Sequence, residues 1–237
     1  MYFLFSGEGS TDMGIGKLHD DICEGENYQP GPMAYLVDLI VAHEHNYSPI
    51  DSECVGYVTK TTLKNIKPQP GKARMIIRGC KRPPETALFY RNAQSLAKWA
   101  EKAHKERNEE VVAVLFRDCD NRVSSPRSEW QHKFDSIQAG FLAEGVSNGV
   151  PMLPKPKSEA WLICALKEEP YSNCKKLENL RASEKAKRQL KSELRDILEN
   201  NASRKNLNKL VKDKRIDTGQ INMPSFNAFR DRLLEVI

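Results

Sequence analysis

Long hydrophobic runs are missing from this 237-residue chain. No stretch approaches the roughly 18–20 consecutive apolar residues needed to cross a bilayer. The N-terminus has no basic region followed by a long apolar segment, so no secretory signal is expected there. A phosphate-binding loop with its lysine is also absent, which excludes an ATPase of that class. The six cysteines (Cys23, Cys54, Cys80, Cys119, Cys164 and Cys174) are scattered, and no two stand as C-x-x-C. That spacing argues against a zinc site or a disulfide framework and leads to an expectation of reduced thiols in the cytoplasm. There is no internal repeat and no low-complexity tract. What remains is an ordinary globular composition, with room for one large domain or a domain with an appendage.

The most informative stretch is Val111-Val-Ala-Val-Leu-Phe-Arg-Asp118-Cys-Asp120. Six apolar residues of β-forming type, bounded by charge, read as a strand covered on both faces, as in a parallel sheet. Its carboxyl end lies where α/β folds build their ligand sites. In an extended chain, residues i and i+2 point the same way, so Asp118 and Asp120 converge while Cys119 turns back into the protein. Two neighbouring carboxylates repel unless a proton or a cation lies between them. The oxygen-only donor set suits a hard ion, Mg²⁺ or Mn²⁺.

A second segment has the same grammar. Residues 1–6 form an apolar strand that runs into Gly7-Glu8-Gly9-Ser10-Thr11-Asp12. The glycines permit a tight turn, and Ser10, Thr11 or Asp12 is placed to cap a following helix. Glu8 would repel a bare phosphate, so its place in this loop makes sense with a cation between acid and phosphate. A third segment, Pro154-Lys155-Pro156-Lys157-Ser158-Glu159-Ala160-Trp161, opens a helix at 159–166 with Ser158 as its cap.

Together these three pieces resemble a TOPRIM domain, the metal-binding fold shared by topoisomerases, bacterial primases and nucleases that accompany phage-defence ATPases. More than a hundred residues separate Glu8 from Asp118, a spacing similar to that of the small defence-associated members. The resemblance covers roughly residues 1–167. It implies an α/β fold: a TOPRIM-like (Rossmann-like) central parallel sheet flanked by helices. It also implies a nuclease, in antiviral defence, with an ATPase partner encoded nearby.

The rest of the chain alternates strand and helix, as a parallel sheet requires. Helices are expected at 33–44, 86–107 and 128–143, and strands at 53–58, 73–77 and 150–153. Beyond Pro170 only helices follow, at 183–199, 203–212 and 225–236. The organisation expected is a catalytic domain over residues 1–168, with an insertion near 45–85, and an all-helical extension over 169–237. Charge supports this division. Residues 171–215 hold fourteen Lys/Arg against six Asp/Glu, whereas residues 1–170 sum to −2 within a net charge of +5. A basic helical extension beside an acidic body suits a polyanionic substrate; equally, Lys, Arg and Glu are simply good helix formers on a solvated face.

In the reaction these residues suggest, Asp118 and Asp120 ligate the metal. Glu8 either completes that site or takes the proton from the attacking water. Glu159 is a further ligand or merely complements its helix dipole, and Lys157 offsets charge on the phosphoryl transition state. The expected activity is Mg²⁺- or Mn²⁺-dependent hydrolysis of DNA or RNA, since no tyrosine is placed for a covalent strand-passage intermediate. Two alternatives stand beside it. One is a regulatory subunit that binds metal or nucleotide without turnover. The other is a haloacid-dehalogenase-type phosphatase, disfavoured because Arg122 stands where that motif has Thr or Val. Trp99, Trp130 and Trp161 are expected to pack the sheet faces rather than stack on bases.

Overall fold

A computed structural model of the chain describes residues 1–9, 11–17, 20–66, 84–119, 128–179 and 184–237. The expected strand at 73–77 and the residue Asp120 lie outside the described residues. Four strands, β1 (Tyr2–Ser6), β4 (Val55–Tyr57), β5 (Val111–Phe116) and β6 (Gly149–Met152), form one sheet in the order β4-β1-β5-β6. Every pairing in it is parallel. The protein is therefore α/β, with a parallel sheet flanked by helices in a Rossmann-like arrangement.

All residues of β1 and β5 are buried, because each side chain of a two-sided strand meets a core. Phe3, Phe5, Val112, Val114 and Phe116 enter one hydrophobic cluster. The alternate residues Tyr2, Leu4, Val111, Ala113 and Leu115 enter the other. The second cluster is closed by α2 (Lys60–Asn65), α3 (Pro84–Arg107) and α4 (Glu129–Ala143). Helices α3 and α4 approach closely at Gly140, where a Cβ would stand 2.4 Å from the Tyr90 carbonyl oxygen.

The first cluster is closed by α1 (Pro32–His45), α5 (Ser158–Leu166), α7 (Glu184–Ile197), α8 (Arg204–Lys212) and α9 (Pro224–Val236). The described residues beyond 168 thus share the core of the body: Leu190, Leu194, Val211, Phe226 and Phe229 lie in the same cluster as Phe3 and Phe5. Trp161 anchors this face, with its ring edge-on to Phe226 at 5.0 Å and stacked on Phe229 at 5.7 Å. Trp130 packs on Phe134 and donates to the Leu153 carbonyl (2.7 Å), and Trp99 is buried in the second cluster. Glu178, at the end of the short helix α6 (Lys175–Glu178), accepts from the Ser225 backbone N–H (2.8 Å) and hydroxyl (2.5 Å). It ties the start of α9 to the same unit.

Two expectations are corrected here. No helix follows Asp12. Instead β2 (Gly14–Gly16) pairs antiparallel with β3 (Tyr28–Pro30), and Gly14 adopts φ +122° with the Gln29 carbonyl where a Cβ would stand. A left-handed backbone in such tight contact cannot continue as a helix. The thiols are also not all reduced: Cys164 and Cys174 form a disulfide, with Cα atoms 5.2 Å apart. The chain turns back after α5 and brings the pair together, and a separation of ten residues carries no motif that spacing alone reveals. Among the described residues, no helix is long and apolar enough to cross a membrane.

Candidate active site at the carboxyl end of the sheet

Parallel strands deliver the segments that follow β1, β5 and β6 to one end of the sheet. β5 continues its pairing beyond the last strand residue, with Arg117 N–H donating to the Met152 carbonyl (3.1 Å) and Cys119 N–H to the Pro154 carbonyl (3.2 Å). Cys119 is fully buried in the second cluster, as its place in the alternation requires. Its carbonyl accepts from Lys133 Nζ at 2.5 Å, and Lys133 is paired with Glu129 at 2.8 Å. Both of these α4 residues are buried. The backbone on either side of Asp118 is therefore held by the neighbouring strand extension and by a buried charge pair.

Asp118 meets the start of α5. Its Oδ1 accepts from the Ser158 backbone N–H at 3.1 Å, and Lys157 Nζ stands 3.5 Å from its Oδ2. Lys157, not Ser158, occupies the N-cap position, with extended backbone (φ −152°, ψ 165°). Ser158 is the first helical residue, and its hydroxyl donates to Asp12 Oδ1 at 2.6 Å. The expected Ser158 cap is thus replaced by the Asp118 carboxylate, which accepts from a backbone N–H of the first turn, while Asp12 accepts from the Ser158 hydroxyl. The physical cause is the same orphaned N–H and positive helix end that a local cap would satisfy.

Asp12 is placed by its own neighbours, with Thr11 Oγ1 donating to its Oδ2 (3.1 Å) and its carbonyl accepting from the Met33 N–H (3.0 Å) at the start of α1. Glu159 follows Ser158 in the first turn of α5. Its Oε1 lies 3.9 Å from Lys191 Nζ on α7, and its Oε2 is buried with no hydrogen-bond partner.

The electrostatics follow from this crowding. Burial is the main cause that pushes the Asp118 carboxyl up to about 7, and the charges of Asp12 and Glu159 add to it. Lys157 and the Ser158 N–H oppose the shift. Glu159 is also raised above the ordinary glutamate range, by burial first and then by Asp12. Crowding at the helix start thus disfavours the charged forms of Asp118 and Glu159.

Glu8 lies apart from this group in its pairing. Its Oε1 stands 3.7 Å from Arg117 Nε. Arg117 is 1% exposed and donates through Nη1 to the Phe116 carbonyl at 2.7 Å. Its Nε and Nη2 are buried without hydrogen-bond partners. Burial lowers the Arg117 pKa, and Glu8 resists that shift. The expected set Glu8, Asp118, Asp120, Lys157 and Glu159 is therefore resolved in part. Asp118, Lys157 and Glu159 gather at the α5 start, Glu8 sits with Arg117 at the β1 end, and Asp120 lies outside the described residues.

Sequence reasoning ranks Asp12 as a helix cap ahead of a ligand and takes Ser158 as a cap only, because both obey the local rule for helix caps. No local signal separates the two roles, which are decided by the approach of Asp118 and Asp12 from distant segments. Among the described residues, no three His, Cys, Asp or Glu side chains stand close enough to form a ready-made metal cage. Comparison with protein-family models, with curated proteins and with solved structures finds no match to this chain.

Proposed function

We propose that this protein is a TOPRIM-type phosphodiesterase that hydrolyses nucleic acid with Mg²⁺ or Mn²⁺, in bacterial anti-phage defence beside an ATPase partner. The observation that carries the reading is the gathering of Asp118, Asp12 and Glu159 at the start of α5, across the carboxyl ends of the sheet. The defence setting and the ATPase rest on the sequence resemblance alone.

The residues fit a hard divalent ion. All three acids offer oxygen, Glu159 Oε2 lacks a partner, and Asp118 is raised by burial first and then by the charges of Asp12 and Glu159, both of which a cation would offset. Mg²⁺ commonly binds through one or two carboxylates plus waters and substrate oxygens, so a full protein cage is not required. Asp118, with Asp12 or Glu159, would hold the ion. When bound, such an ion polarises a phosphoryl oxygen and lowers the pKa of bound water.

The chain's own residues supply the rest. The positive end of α5 and Lys157 bind and orient the anionic phosphodiester. Lys157, 3.5 Å from Asp118, offsets the charge that builds on the phosphoryl oxygens. Glu8, one strand over and held by Arg117, takes the proton of the attacking water directly or through one bridging water.

The test is hydrolysis of labelled DNA and RNA by the full chain with Mn²⁺ or Mg²⁺. The wild type is expected to cleave at least one of them, and Asp118→Ala to abolish cleavage. Glu8→Gln should slow turnover by about 10²–10⁴-fold, the usual worth of a general base, with metal binding retained. A wild type that binds Mn²⁺ yet cleaves nothing, alone or with the ATPase encoded beside it, would make the chain a binding subunit instead.

A further inference from the structure

The α7 helix carries a basic stripe that leads into the acidic site. Leu190 and Leu194 face the core. Arg188, Lys191 and Arg195 are all exposed, and their spacing of i, i+3 and i+7 places them on one line along the flank of the helix, about 110° round from the two leucines. The acids Glu193 and Asp196 fall on the flank away from this line, by the same 100° per residue. At 1.5 Å per residue the stripe runs about 10 Å. Its middle member is tied to the candidate site, since Lys191 Nζ stands 3.9 Å from Glu159 Oε1 while its side chain remains 61% exposed.

We infer that this stripe is the docking surface for the phosphodiester backbone of the nucleic acid, delivering it to the start of α5. The inference deepens the phosphodiesterase reading and rests on it. Charge complementarity selects the occupant. Duplex DNA carries a negative charge about every 1.7 Å of axis, and single strands carry one per nucleotide, so a line of three cations engages several phosphates at once. The acidic floor alone would repel that backbone. A cationic rim in contact with Glu159 supplies the attraction that brings a polyanion to carboxylates. The contact is through phosphates, so the stripe reads charge and not base sequence. DNA and RNA share that chemistry.

The experiment measures binding without turnover. Full-length protein in chelator is titrated against labelled single-stranded DNA, single-stranded RNA and duplex DNA over a series of salt concentrations, with anionic phospholipid vesicles as a separate arm. Three phosphate contacts contribute about 2–3 to the slope of log affinity against log salt. R188Q/K191Q/R195Q should lose that much slope and at least about tenfold in affinity at low salt, and K191Q alone should lose slightly less than one unit. The control K60Q/K102Q/K105Q removes the same charge from exposed sites on α2 and α3 and should leave the slope unchanged. Thermal melts establish that each variant is folded, and K191Q carries the test if the triple variant is not. Equal losses in both triple variants would overturn the inference, as would a wild type that binds vesicles but no oligonucleotide, or binds nothing. Stripe-dependent binding without cleavage in Mn²⁺ would uphold the docking surface and remove the phosphodiesterase reading.

Discussion

Asp118 lies just past the end of β5 and faces the start of α5. Its carboxyl is pushed from the ordinary value of 3.8 up to about 7, first by burial and then by Asp12 and Glu159. The fold therefore favours the neutral form. Stability from this group is complete below about pH 4 and declines as pH rises toward 7, where the proton is lost. Asp118→Asn keeps an acceptor for the Ser158 N–H and removes the buried charge. In chelator at pH 8 the variant should be more stable than the wild type by about 1–4 kcal/mol, and the gap should close near pH 4. Thermal denaturation of both proteins across that range checks it; a gap that stays constant with pH would refute the assignment.

Glu178 is the structural counterpart. It is 5% exposed and accepts from both the N–H and the hydroxyl of Ser225, which also accepts from Trp161 Nε1 at 2.9 Å. Glu178→Ala leaves a buried N–H at the start of α9 unsatisfied. A loss of about 1–3 kcal/mol is expected, read by chemical denaturation. At this scale the sequence was only partly legible. Asp118 and Glu159 declare themselves by their place at element ends. Asp12 and Ser158 satisfy a capping rule equally well, and only the tertiary approach of β5, α5 and the β1 loop decides between the roles.

Elements were more legible than residues. The apolar run of β5 and the 3.6-residue stripe of α3 are strong local signals, and both elements form where those signals stand. The three-residue strands β2 and β3 carry no alternation long enough to read, and their existence depends on contacts such as the Tyr28 hydroxyl to the Met13 carbonyl (2.5 Å). The helix start at α5 is a similar case, since two of its partners come from 40 and 146 residues away.

Where elements pack most closely, single atoms matter. Gly140→Ala would place a methyl 2.4 Å from the Tyr90 carbonyl oxygen and 2.7 Å from Ala93 Cβ. Helices α3 and α4 must then separate, at an expected cost of about 1–3 kcal/mol. That corresponds to a melting temperature lower by roughly 2–4 °C for each kcal/mol in a chain of this size. An unchanged melting temperature would mean the two helices have more room than the contact distances allow.

The whole molecule sets a basic C-terminal region against an acidic site. The net charge is +5 and the excess sits in residues 171–215, yet those helices complete the core rather than hang from it. In the proposed reading this arrangement sets a polyanion-binding rim beside a cation-binding floor, and the Lys191–Glu159 contact joins the two. The most direct measurement of that floor is calorimetric titration of Mn²⁺ into metal-free wild type, Asp118→Asn and Asp12→Asn. Saturable binding to the wild type, weakened at least about tenfold in each variant, is the predicted result, consistent with the loss of a carboxylate ligand or its supporting partner. Identical binding in all three proteins would contradict a cation site at the start of α5.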